Sequence, residues 1–91
     1  MTESELESKV TKYAKSKGFL CYKFSSPSNR GVPDRCIIGK GEVLFMELKA
    51  SGKVPTKLQE HHLEAIITQG VKSCWADNFE DAKHFIDRID C

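Results

Sequence analysis

Asp34, Glu47 and Lys49 are the residues of this chain best placed to do chemistry together. They lie in two short apolar stretches, Asp34 to Ile38 and Val43 to Lys49, joined by Gly39-Lys40-Gly41-Glu42. Such a turn signal between two strand-like runs predicts a β-hairpin. A loop of two residues (Lys40, Gly41) or of four (Gly39 to Glu42) gives the same pairing register, and continuing the ladder sets Asp34 opposite Glu47. Opposed side chains share a face at about 4.5–5.5 Å between Cβ atoms. Lys49, two residues beyond Glu47, projects from that same face.

Two facing carboxylates repel, and a divalent cation between them relieves the repulsion; oxygen donors suit Mg²⁺ or Mn²⁺. A lysine beside them can position or deprotonate a water, or neutralise charge on a phosphate. A surface hairpin with splayed acids and Lys49 in an exposed ion pair would use the same residues. Against that reading, Glu47 and Lys49 follow Leu44-Phe45-Met46 and interrupt the most apolar stretch of the chain.

Other residues can complete such a site. Glu3 and Glu7 stack on one side of a helix, and Glu7 borders its apolar stripe. They are equally explained as favourable acids in the first turns of a helix. Gln59 also has two readings. It closes a capping box with Thr56, and it falls beside His62, Leu63 and Ile66 on the face that should meet a sheet. Arg30, Arg35, Lys23, Lys53 and Lys57 flank the acidic pair and are candidates for phosphate contacts, although each alone reads as a solvated charge. His61-His62 lacks the H-E-x-x-H order of a zinc site and reads as ordinary helix. Tyr22 and Trp75 are expected in the core.

These residues need a scaffold, and the punctuation of the chain supplies one. A helix is expected from about Glu3 to Lys17, capped by Thr2 with Glu5 or by Ser4 with Glu7 and stopped by Gly18. Its apolar stripe is Leu6, Val10, Tyr13 and Ala14. Phe19 to Phe24 reads as a buried strand, and Ser25 to Val32 as a polar loop long enough to be functional. After the hairpin, Thr56 caps a helix to about Gln69, Val71 to Ala76 is a strand, and Asn78 caps a last helix carrying Phe79, Ala82, Phe85, Ile86 and Ile89. The order αβββαβα predicts a small α/β sandwich.

Composition sets the outer bounds. The 91 residues make one small domain spanning 1–91, with 40% hydrophobic and 30% charged residues arguing against disorder. A net charge of +1 excludes a strongly basic tail while allowing a local basic patch. Cys21, Cys36, Cys74 and Cys91 stand far apart, which argues against a zinc ribbon or a disulfide framework and for reduced thiols, buried or incidental. No apolar run approaches the roughly 20 residues of a membrane span, and the start is not a signal peptide, so a cytoplasmic protein is expected.

Gly31-Val32-Pro33-Asp34-Arg35, then Phe45-Met46-Glu47-Leu48-Lys49-Ala50, then Gln59 resemble the PD-(D/E)XK nuclease pattern. More closely, nearly all of the chain is similar to a stand-alone virus-type replication-repair nuclease (VRR-NUC) domain of phages and prophages. The resemblance implies a restriction-endonuclease-like αβββαβ(α) core, with a mixed sheet flanked by helices. It further implies an Mg²⁺- or Mn²⁺-dependent endodeoxyribonuclease with no organic cofactor, in the bacterial cytoplasm if phage or prophage encoded. The metal ligands it implies are Asp34, Glu47 and the main-chain carbonyl of Leu48. Lys49 matches the motif lysine, Gln59 the glutamine after the motif, and Glu7 the acid of the first helix, with Glu3 in reserve. Stand-alone members resemble Holliday-junction resolvases, which implies a homodimer acting on branched DNA. The alternative is a nucleic-acid-binding or assembly module that keeps the fold without cutting; an adaptor using its helices for protein contacts is a further rival.

Overall fold

Thr2 sets where the first helix begins: its hydroxyl accepts the Glu5 amide while the Glu5 carboxylate accepts the Thr2 amide, the first of the two capping boxes expected. In the computed structural model, which describes residues 1–89, this helix is α1, Glu3–Ser16. The strands that follow are β1 (Leu20–Lys23), β2 (Arg35–Gly39) and β3 (Glu42–Leu48). Helix α2 (Lys57–Thr68), strand β4 (Lys72–Ala76) and helix α3 (Phe79–Asp87) complete the expected order.

The sheet is mixed, ordered β1-β2-β3-β4, antiparallel except for the parallel pair β3–β4 that the α2 crossover connects. The hairpin closes on two residues. Lys40 (φ 52°) and Gly41 (φ 77°) both take the left-handed region, as a type I′ turn requires. Gly39 pairs Glu42 and Arg35 pairs Met46, so one further step along the ladder sets Asp34 opposite Glu47, as the turn arithmetic predicts.

The core lies between one sheet face and the helices α1 and α3. Leu6, Val10 and Ala14 of the α1 stripe meet Ile37, Met46 and Leu48 of the central strands, and Ala82, Ile86 and Ile89 close the layer. Tyr13 at the border of the stripe packs edge-on against Phe79, with centroids 5.7 Å apart, and its hydroxyl donates to Asp87. The other sheet face is covered in part by α2, and there Phe24 and Phe45 meet edge to face at 5.1 Å.

Three expectations fail on this second face. β1 is not a buried strand: it is an edge, its outward Leu20 and Tyr22 are 49% and 56% exposed, and only Phe19 before it is buried. Tyr22 is therefore no core residue. Nor is Trp75, which is 37% exposed on β4, the opposite edge strand. Short aromatic runs fit an edge strand as well as a central one, and only the order of the sheet decides between them. Cys21, Cys36 and Cys74 are free, half-buried thiols; Cys91 lies outside the described residues. No described helix is long and apolar enough to cross a membrane.

Candidate active site

Three chain segments converge at the end of the central strands. The first is the hairpin itself, which brings Asp34, Glu47 and Lys49 to one place. Asp34 Oδ2 accepts the Leu48 amide at 3.2 Å, which locks the start of one strand to the end of the other. Glu47 is almost fully buried, with 2% of its surface exposed, and Lys49 Nζ stands 3.5 Å from its Oε2.

The second segment is the start of α2. Gln59 donates from Nε2 to the same Glu47 Oε2 at 3.3 Å. Its Oε1 accepts the Thr56 amide at 2.9 Å, and Thr56 Oγ1 accepts the Gln59 amide. Both readings of Gln59 thus hold at once. Its contact is with Glu47, and it meets Lys49 through that shared oxygen and not directly.

The third segment is the start of α1. The Met1 ammonium donates to Ser51 Oγ at 3.0 Å and the Ser51 amide donates to the Met1 carbonyl at 3.2 Å, pinning the helix start to the turn after β3. One carboxylate oxygen each of Glu3, Glu7 and Asp34 lie within 4.8 Å of one another. The structure therefore brings both helix acids to Asp34, where a choice between them was expected. Glu47 is not in this tight group but interacts with Asp34, so Asp34 is the carboxylate that the expected set of Asp34, Glu47 and Glu7 has in common. Glu7 also holds Arg35, with Oε2 3.6 Å from Nη2.

The electrostatics are those of a site short of positive charge. Burial pushes the Glu47 carboxyl from 4.5 up to about 7, Asp34 adds to the rise, and Lys49 opposes it. Partial burial also lifts Glu3, helped by Asp34 and Glu7 and opposed by Lys49. Glu47 Oε1 is sealed from solvent and has no hydrogen-bond partner. A buried, unmatched carboxylate oxygen costs free energy unless something cationic meets it. An all-oxygen donor set with that orphan fits a hard divalent cation.

The basic candidates divide. Arg35 is half-buried and tied to Glu7, while Lys23, Arg30, Lys53 and Lys57 are exposed. Arg30 precedes Gly31 (φ 83°), whose backbone presses so closely on α2 that a Cβ there would lie 2.9 Å from Leu58 Cγ. His61 and His62 sit on α2, and the Glu3, Glu7 and Asp34 cluster found among the described residues includes neither. Sequence reading missed the ion pair of Arg35 with Glu7. Its signal was the hairpin register, which turns Arg35 to the face opposite Asp34, toward α1.

Comparison with known proteins agrees with this fold. The chain is 40% identical over 62 residues to "Putative nuclease p44" of Acyrthosiphon pisum secondary endosymbiont phage 1, covering 65% of this chain and 67% of that protein. A solved structure described as "VRR_NUC domain" superposes with a TM-score of 0.85 at 21% identity, covering 96% of this chain and 97% of that one. Another, "VRR_NUC domain protein", gives a TM-score of 0.83 at 21% identity, covering 98% and 88%. No family model matches the sequence. The chain therefore belongs to the family of this phage nuclease, and its fold is that of VRR_NUC domains.

Proposed function

We propose that this protein is a metal-dependent endodeoxyribonuclease that hydrolyses phosphodiester bonds in branched DNA, four-way junctions above all. The observation that carries this reading is the buried Glu47, with one oxygen held by Lys49 and Gln59 and the other left without a partner beside Asp34.

Asp34, Glu47, the Leu48 main-chain carbonyl and Glu7, with Glu3 beside it, would hold Mg²⁺ or Mn²⁺. Such an ion, when bound, makes water a stronger acid and offsets charge on the phosphate. Lys49 aligns the attacking water and offsets the charge that develops on phosphate oxygens. Gln59 holds Glu47 in the orientation that keeps its free oxygen available. Water adds to phosphorus as one P–O ester bond breaks, leaving a phosphate monoester and a hydroxyl end. Arg30, Arg35, Lys23, Lys53 and Lys57 would contact the backbone around the break.

A branched substrate cut on both strands needs two such sites, most simply from a two-fold homodimer. The test is a panel of labelled duplex, flap, splayed-arm and four-way junction DNA, incubated with Mg²⁺, Mn²⁺ or EDTA. Metal-dependent products, richest from the junction and lost in Asp34→Ala and Lys49→Ala, are the expected result. DNA binding with no products in either metal would leave only a binding module.

A further inference from the structure

Arg35 faces a second environment besides Glu7. Its Nε is shut off from solvent and has no hydrogen-bond partner, although Nη2 lies near Glu7. The residue forms one wall of an open groove of about 440 Å³, and α1 forms the other. Ser4, Ser8, Thr11, Lys12 and Lys15 line the helical wall. Their spacing is that of neighbours three and four apart on one helical face. From residue 4 to residue 15 this stripe runs about 16 Å at roughly 1.5 Å per residue.

The groove changes character along its length: the hydroxyls of Ser4, Ser8 and Thr11 come first and the amines of Lys12 and Lys15 follow. Lys12 and Lys15 are exposed, and neither is in an ion pair among the described residues. Glu7, its one acid, belongs also to the carboxylate group around Asp34, so the groove opens onto the candidate active site. One DNA strand carries a phosphate about every 3.4 Å along the helix axis, so the stripe spans about five of them.

We propose that this groove is the track for the strand being cut, whose phosphates run outward from Arg35 along α1 to Lys12 and Lys15. The proposal rests on the nuclease reading and adds Ser4, Ser8, Thr11, Lys12 and Lys15 to the substrate contacts. None of these reads as a substrate contact in the sequence, where Ser4 is only a candidate cap and the others are ordinary polar helix residues until Arg35 is placed beside them.

The experiment is fluorescence anisotropy of a labelled four-way junction with the full chain in Ca²⁺, at salt from 50 to 300 mM. The Lys12→Gln/Lys15→Gln protein should bind about tenfold more weakly at 100 mM salt, with its log-affinity against log-salt slope shallower by roughly two. Ser8→Arg should steepen that slope by about one. Lys40→Gln, at the hairpin turn on the far end of the sheet, should change neither. Unaltered slopes in both groove variants of a protein that binds and cuts DNA overturn the track and leave the nuclease standing. Binding with the expected slope changes but no cleavage in Mn²⁺ keeps the groove as a DNA-strand contact and sinks the nuclease reading, and with it the cutting role of the track. Wild-type protein that neither binds nor cuts removes both.

Discussion

Gln59 joins Thr56 to Glu47: its Oε1 accepts the Thr56 amide at 2.9 Å and its Nε2 donates to Glu47 Oε2 at 3.3 Å. One side chain therefore both starts a helix and fixes a buried carboxylate. Glutamate serves equally well in a capping box but has no N–H to offer Glu47. Gln59→Glu should keep α2 capped while setting a carboxylate against Glu47, lowering cleavage by roughly 10–100-fold, the scale of losing a hydrogen bond that orients a metal-binding side chain. Gln59→Ala should also lose the half of the capping box in which its side chain accepts the Thr56 amide, at about 0.5–1 kcal/mol, while the Thr56 hydroxyl still accepts the residue 59 amide. Circular dichroism melts and cleavage rates for the pair separate the two roles. Full activity in Gln59→Glu would show that the contact with Glu47 is incidental.

The buried Glu47 makes the stability of the metal-free protein depend on pH. Its carboxyl rises from 4.5 in the unfolded chain to about 7 in the fold, from burial first and from Asp34 second. An acid raised in this way holds its proton more tightly when folded. Its favourable contribution is complete below about 4.5 and is lost as the pH climbs through about 7, up to roughly 3 kcal/mol in all. In EDTA, melting temperature should therefore fall across this window, and Glu47→Gln should flatten the fall. Parallel wild-type and Glu47→Gln profiles would contradict the assignment.

Much of this site can be read in the chain because its determinants are local. The Asp34–Glu47 register follows from turn length alone, and the Thr2–Glu5 and Thr56–Gln59 boxes follow from spacing within one turn. What could not be read is set by distant contacts. Whether Tyr22 and Trp75 are buried depends on β1 and β4 being the two edges of the sheet, a matter of strand order. Glu3 and Glu7 could not be separated because they sit one turn apart on the same side of α1. The tie between Met1 and Ser51, fifty residues apart, carries that end of the helix to Asp34 and brings both acids into place.

Metal addition should show which helix acid matters more. Ligand bound only by the folded state raises stability by about 2.7 kcal/mol at a hundred times its dissociation constant. Adding Mn²⁺ at pH 7.5 should thus raise the melting temperature by on the order of 10 °C for a domain of this size. Asp34→Asn, which removes the carboxylate shared by both groups, should abolish most of the rise. Glu7→Gln should weaken it more than Glu3→Gln, since Glu7 is half-buried and already oriented by Arg35 while Glu3 is exposed. A rise unchanged in Asp34→Asn would place the ion elsewhere.

Gly31 links the loop before Asp34 to the helix that carries Gln59. Its φ of 83° lies in the left-handed region, and an added Cβ would sit 2.9 Å from Leu58 Cγ and 3.4 Å from the Gln59 amide. Gly41 has a similar φ of 77° but open space around it. Alanine at either position should cost about 1 kcal/mol for backbone strain. Only Gly31→Ala also pushes on the start of α2, and so on the Gln59 contact with Glu47. Gly31→Ala should therefore lose cleavage activity well beyond its loss of stability, whereas Gly41→Ala should lose stability alone. Rates measured 20 °C below each variant's melting point make the comparison fair. Equal residual activity in the two variants would mean that the loop and the helix do not act through Gln59.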